Sequence, residues 1–157
     1  MEIDKTLEEY DGLFGKKSLD EIDRYLSGKV EQAYEEKDYF SAVTLLNEQM
    51  GFCRDTDRKE KGLECCVKVV ELLGKLGMEG SEQYATTLLN VANAFRAFGY
   101  QNESLKIYQK VRDLYHERLP EDSLSYASLY NNWGLLYQEM NEFENAEEMF
   151  KKALRCV

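Results

Sequence analysis

Apolar residues recur along this chain at intervals of three and four. Leu19, Ile22, Leu26, Val30, Ala33 and Tyr34 form one run, and Leu63, Cys66, Val69, Val70 and Leu73 form another. Leu105, Tyr108, Val111, Leu114 and Tyr115 form a third; Ala146, Phe150, Ala153 and Leu154 form a fourth. Such spacing lays one apolar stripe along an α-helix. Ser18-Leu19-Asp20-Glu21 has the form of a capping box, so a helix starts there and runs to about Lys37. Residues 4–14 are expected to add a further short helix. Gly99 after Phe98 marks a left-handed C-cap, and Gly77 and Gly80 break the chain before Ser81, an N-cap residue. Pro120 separates His116-Glu117-Arg118 from a helix start at Asp122 or Ser123.

The stripes belong to a repeat. SAVTLLN (41–47), YATTLLN (84–90) and YASLYNN (126–132) share one pattern, and their asparagines Asn47, Asn90 and Asn132 lie 43 and 42 residues apart. Phe52, Phe95 and Tyr137 each follow the asparagine by five. The loop Asp55-Thr56-Asp57-Arg58-Lys59 is expected to hold the one extra residue of the longer interval. A period in this range is the mark of a stacked array. Each copy reads as helix, turn, helix, over about 41–83, 84–125 and 126–157, behind an N-terminal segment and capping helix, 1–40. From Tyr84 to Phe98 the sole charged residue is Arg96, whereas Glu103 to Arg118 is rich in charge. The asparagine-bearing helices are therefore expected in an inner layer, and their successors in an outer layer bordering water. The expected fold is all-α: a right-handed solenoid of antiparallel helix pairs, about seven helices in one continuous domain. Stacking supplies the core, because neither layer covers its apolar face alone.

Bulk properties narrow the functions. No apolar run approaches a membrane span, and MEIDKTLEEY is no secretory signal. Four cysteines without a framework, Cys53, Cys65, Cys66 and Cys156, point to reduced thiols and a cytoplasmic location. A formal charge of −10 argues against nucleic-acid binding, which needs clustered Lys and Arg.

These residues resemble the tetratricopeptide repeat. Tyr130, Trp133, Gly134, Tyr137, Phe143, Ala146, Phe150, Ala153 and Leu154 stand where that family places its large and small core residues. Leu88, Ala92, Phe95, Gly99, Ser104, Tyr108 and Val111 repeat the match more loosely. The long period and YASLYNNWGLLY are similar to the kinesin-light-chain subclass. Leu119-Pro120-Glu121-Asp122 departs from that subclass's usual His-Pro-Asp turn, and Gln49 stands where the first copy should have a small residue. Asp38-Tyr39-Phe40-Ser41-Ala42 also reads as a turn inside a repeat. The resemblance implies a groove lined by the inner helices. It places Asn47, Asn90 and Asn132 in that groove, where a carboxamide can pair with a peptide bond through donor and acceptor together. Asn93, Arg96, Asn131, Gln138 and Glu139 are the neighbouring candidates. The competing role is that each asparagine fastens adjacent helices.

Other motifs have plainer readings. Trp133 is expected to be buried between helices rather than to anchor a partner. Cys65-Cys66 lacks metal or redox spacing and is expected to pack. His116 has no nucleophile placed with it, and Gly15-Lys16-Lys17-Ser18 fails the phosphate-loop pattern. The reading is a non-catalytic interaction module without metal or cofactor, binding a protein or peptide partner. The alternative is a self-associating or regulatory arm of a longer protein, with homodimerisation through the apolar face of the last helix.

Overall fold

The computed structural model describes residues 1–157 and contains eight helices: α1 (Ile3–Asp11), α2 (Leu19–Glu35), α3 (Tyr39–Asp55), α4 (Lys59–Lys75), α5 (Glu82–Ala97), α6 (Gln101–Arg118), α7 (Leu124–Glu139) and α8 (Phe143–Arg155). The expected count of about seven rises by one because the short N-terminal segment is helical as α1. Contacts group the chain into two units, Met1–Leu76 with α1 to α4 and Gly77–Val157 with α5 to α8.

Local chemistry sets the helix ends. The Ser18 hydroxyl accepts the Glu21 amide while the Glu21 carboxylate accepts the Ser18 amide, which closes the capping box of α2. Ser81 caps α5 by accepting the Tyr84 amide, and Ser123 caps α7 by accepting the Ser125 amide. Pro120 lies in the α6–α7 connection, where its missing N–H breaks no helical bond.

Four tight turns share one geometry. Lys37, Asp57, Gly99 and Asn141 have φ of 58°, 56°, 91° and 62°. The next residue in each case, Asp38, Arg58, Tyr100 or Glu142, donates its amide to a carbonyl five residues back: Ala33, Cys53, Phe95 or Tyr137. This is the six-to-one bond of a Schellman C-cap. Five residues beyond each left-handed position stands a small buried residue, Ala42, Gly62, Ser104 or Ala146. Small size there lets the new helix approach its predecessor. Ser104 shows how close: its hydroxyl donates to the Ala92 carbonyl at 2.8 Å.

The turns also correct the repeat register. Asp57, Gly99 and Asn141 follow one another at 42 residues each time, so no extra residue lies in the first loop. Counted back from these turns, the same positions are buried in α3, α5 and α7. Eight back stand Gln49, Val91 and Trp133; seven back stand Met50, Ala92 and Gly134. Nine back stand Glu48, Asn90 and Asn132. Asn47 is ten back, which turns it about 100° around the helix from the other two asparagines. Asn47 therefore stands one position out of the turn register that Asn90 and Asn132 share. Gln49 falls in line with Trp133, while the small-residue position of α3 is taken by Met50.

In the first unit, α3 packs between α2 and α4, and α1 touches α2. Its core is Ile22, Leu26, Ala33, Ala42, Leu45, Leu46, Met50, Val69 and Leu73. Gly28 lies inside α2 on an exposed face, and a Cβ added there would meet nothing within 4 Å. Gly28→Ala should therefore raise unfolding free energy by about 1 kcal/mol in urea titration, through backbone entropy alone.

In the second unit, α5 pairs with α6 and α7 with α8, while α7 also packs on α6 and touches α5. The contrast in charge placement holds. α5 buries Tyr84, Ala85, Thr87, Leu88, Leu89, Val91, Ala92, Asn93 and Ala94, whereas α6 buries only Ser104, Tyr108, Val111 and Tyr115.

Candidate functional site

Asn132 and Glu139 of α7 and, through Tyr108, Asn93 converge on one side chain, Arg96 of α5. Its guanidinium donates to Glu139 of α7 at 2.8 Å and to the Asn132 side-chain oxygen at 3.3 Å. Its Nε donates to the Tyr108 hydroxyl of α6 at 3.4 Å. Tyr108 in turn donates to the Asn93 side-chain oxygen at 2.6 Å. Burial holds the Tyr108 phenol above its ordinary pKa, so it keeps the proton it donates. Three helices are thus tied by one polar network around a half-buried arginine. Sequence reading picked four of its members, Asn93, Arg96, Asn132 and Glu139, and missed the fifth. The spacing of Tyr108 predicts a packing ring and does not reveal where the hydroxyl points.

Tyr108 links the network to the interior, where Asn93 is 8% exposed. Removal of that one hydroxyl leaves a buried amide oxygen without its donor. Tyr108→Phe should lower stability by about 1–3 kcal/mol, measured by urea denaturation. Asn93→Leu in the same background should recover part of the loss, because it removes the stranded amide.

The Asn132 Nδ2 donates to the Ser128 carbonyl at 2.8 Å, a bond to its own helix four residues back. Asn47 makes the corresponding bond to the Val43 carbonyl at 3.0 Å in the first unit. Asn90 is half-buried, with an interaction partner of its own. Asn131 and Gln138 are exposed. The arrangement therefore joins Asn93, Arg96, Asn132 and Glu139 and leaves Asn131 and Gln138 outside the network.

Beside this network runs an aromatic ladder along α7. Tyr126 stacks on Tyr130, Tyr130 on Trp133 and Trp133 on Tyr137, with centroids 5.9, 6.4 and 6.2 Å apart. Tyr108 of α6 stacks on Trp133 at 6.3 Å, and Tyr115 meets Tyr126 edge-on at 5.6 Å. Cations cap the rings: Arg112 of α6 lies 5.5 Å from the Trp133 centroid and Lys152 of α8 lies 5.7 Å from that of Tyr130. Trp133 is 2% exposed, and its indole N–H has no hydrogen-bond partner. It is a core residue, as its place in the repeat implied. His116 also joins this cluster, with its ring 5.5 Å from that of Tyr126.

The cysteines sit in packing positions. Cys53, Cys65 and Cys66 are buried free thiols. Burial pushes the Cys66 thiol up to about 12, far from a reactive thiolate.

Residues 101–157, which carry α6 to α8, match the family model described as tetratricopeptide repeat. Among solved structures, the chain is similar to the crystal structure of BtubC (BKLC) from P. vanneervenii. The likeness has a TM-score of 0.63 at 20% identity and covers 98% of this chain and 70% of that one. It shows a shared helical-repeat fold. No curated protein matches this sequence.

Proposed function

We infer that this chain is a tetratricopeptide-repeat protein and works as a non-catalytic module that binds a protein partner. Repeats of this family generally mediate protein–protein interaction. No helix here is long and apolar enough to cross a membrane. In our reading a peptide segment or partner helix lies across the polar face of α5 and α7. Asn90 and Asn132 pair with its backbone, Asn131 and Gln138 add adaptable contacts, and Asn93, Arg96 and Glu139 hold the face in shape.

The observation that carries this reading is the state of Asn132. Arg96 fixes its oxygen and the Ser128 carbonyl takes one of its two N–H bonds, so the second N–H is oriented and unspent. A preordered amide loses little freedom when it binds. The test uses the double variant Asn132→Ala, Gln138→Ala, with a partner first isolated on the wild-type chain and then purified. The expected result is at least tenfold weaker binding by calorimetry and a melting temperature within a few degrees of wild type. A loosened fold with unchanged affinity would assign these amides to fastening alone.

A second reading has its own observation. Phe143 and Leu154 of α8 are 62% and 75% exposed. With Phe150 they line an apolar cavity of about 350 Å³ beside Gln138. A second copy would cover this face. Sedimentation equilibrium should then show a dimer that Leu154→Glu abolishes; a monomer at every concentration contradicts it.

A further inference from the structure

The register that aligns α3 with α7 exposes a difference between the two units. In the second unit, α7 carries Tyr126, Tyr130, Trp133 and Tyr137 between α6 and α8. The positions of α3 in the same register, between α2 and α4, are Ala42, Leu46, Gln49 and Cys53. Four aromatic side chains in one unit correspond to four smaller ones in the other. The space is correspondingly different. Between α6 and α8 over α7 lies a cavity of about 280 Å³, bounded by Tyr126, Tyr130 and Lys152. Between α2 and α4 over α3 there are two, of about 540 and 780 Å³, which meet at Glu31 and Lys68. Leu46 and Gln49 lie under the first, with Val30, Leu63 and Val67 on its walls; Tyr34, Tyr39 and Leu72 line the second. The walls are mainly apolar, yet Val67 is 58% exposed.

Gln49 sits where Trp133 sits in the other copy. It is 2% exposed and is held down by Asp23 at 3.2 Å and Ser27 at 2.8 Å, both from α2. It therefore forms the floor and does not fill the cleft. The cation of the other unit is nonetheless retained. Lys68 occupies the position of Lys152 in the turn register, and its ammonium lies 5.6 Å from the Tyr34 centroid. Five carboxylates border the two cavities, Glu31, Glu35, Glu60, Glu64 and Glu71, against three ammonium groups, Lys61, Lys68 and Lys75.

We propose that the cleft between α2 and α4 is a second docking surface, and that its occupant is a basic, aromatic-bearing peptide segment of a protein partner. The partner supplies the large rings that α7 supplies for itself in the other unit. Its Lys or Arg residues face the acidic rim. Two joined cavities along α4 suit an elongated segment with several anchors more than one compact ligand. A second copy of this chain is a poor fit, since it brings a charge of −10 to an acidic rim. This surface is separate from the α5–α7 face and stands or falls without it.

The probe is a synthetic 16-residue alanine–lysine helix carrying Trp, Tyr and Leu at i, i+4 and i+7, followed by fluorescence anisotropy. A charge-reversed form with glutamate for lysine, and a form with alanine at the three anchors, serve as controls. Wild-type chain should bind the basic aromatic peptide saturably, and each control at least tenfold more weakly. Val67→Lys removes an exposed apolar wall residue and sets a like charge against the basic peptide, so it should weaken binding at least tenfold. Gln49→Trp should plug the cleft from within and do the same; Val67→Lys decides the matter if that variant does not fold. Absence of saturable binding would overturn the proposal. So would equal affinity for Val67→Lys, or for the alanine control. A homodimer dissociated by Val67→Lys would also overturn it, because the occupant would then be a second copy.

Discussion

Trp133→Ala should lower the stability of the chain by about 3–5 kcal/mol, seen as a large drop in the urea midpoint. Trp133 is the hub of the second unit. It is 2% exposed, stacks on Tyr108, Tyr130 and Tyr137, and lies under Arg112. Its deletion removes a large apolar surface and opens a cavity between α6 and α7. It also removes the ring on which Tyr108 stacks. The indole N–H has no partner to lose. Trp133→Phe should therefore retain most of the stability, with a loss near 1 kcal/mol, since it keeps a ring and discards an unpaired buried donor. Equal losses for the two variants would show that the ladder is not what holds this unit.

Gly134→Val should cost about 2–3 kcal/mol, although valine is the better helix former. The reason is the approach of α8. A Cβ on Gly134 would lie 2.6 Å from one Phe150 ring carbon and 2.8 Å from another. Valine adds two further methyl groups at that point, and either the ring or the helix must move. The opposite sign is expected for Gly28→Ala, where space is open. Phe150→Leu should relieve part of the Gly134→Val penalty, and a double-mutant cycle would show positive coupling between the two sites. Additive losses would place the strain elsewhere.

Much of this fold is legible before any coordinates. Helix starts at Ser18 and Ser81, and one at Asp122 or Ser123, follow from capping chemistry, and the end of α5 follows from Gly99. Both are local, so a short stretch of sequence contains their cause. The register of the first repeat is not local. Asn47 imitates Asn90 and Asn132 in its word of sequence, and SAVTLLN aligns with YATTLLN by eye. The true landmark is the left-handed turn residue, and only one of the four, Gly99, is a glycine. Lys37, Asp57 and Asn141 hold the same conformation without advertising it. Of the stretch Asp38 to Ala42, only Asp38 lies in the turn, where it makes the same six-to-one bond as Arg58, Tyr100 and Glu142, while Tyr39 to Ala42 open α3.

The site was legible as residues but not as roles. Asn93, Arg96, Asn132 and Glu139 stand out as polar groups on or beside a mostly apolar helix. Their mutual bonds depend on how α7 meets α5 and α6, which sequence spacing does not encode. The α2–α4 cleft was invisible for a related reason. It arises from side chains that are small where a register partner is large, and that comparison requires the correct register.

One titration tests the central claim, that the same place between alternate helices is filled in one unit and open for a partner in the other. The isotope-labelled chain is titrated with the basic aromatic peptide, and amide shifts are followed residue by residue. The predicted result is a saturable change along α2 and α4, centred on Val30, Glu64 and Val67, with Gln49 responding from the floor and α5 to α8 unmoved. Shifts confined to α5–α8, or none at saturating peptide, would contradict it.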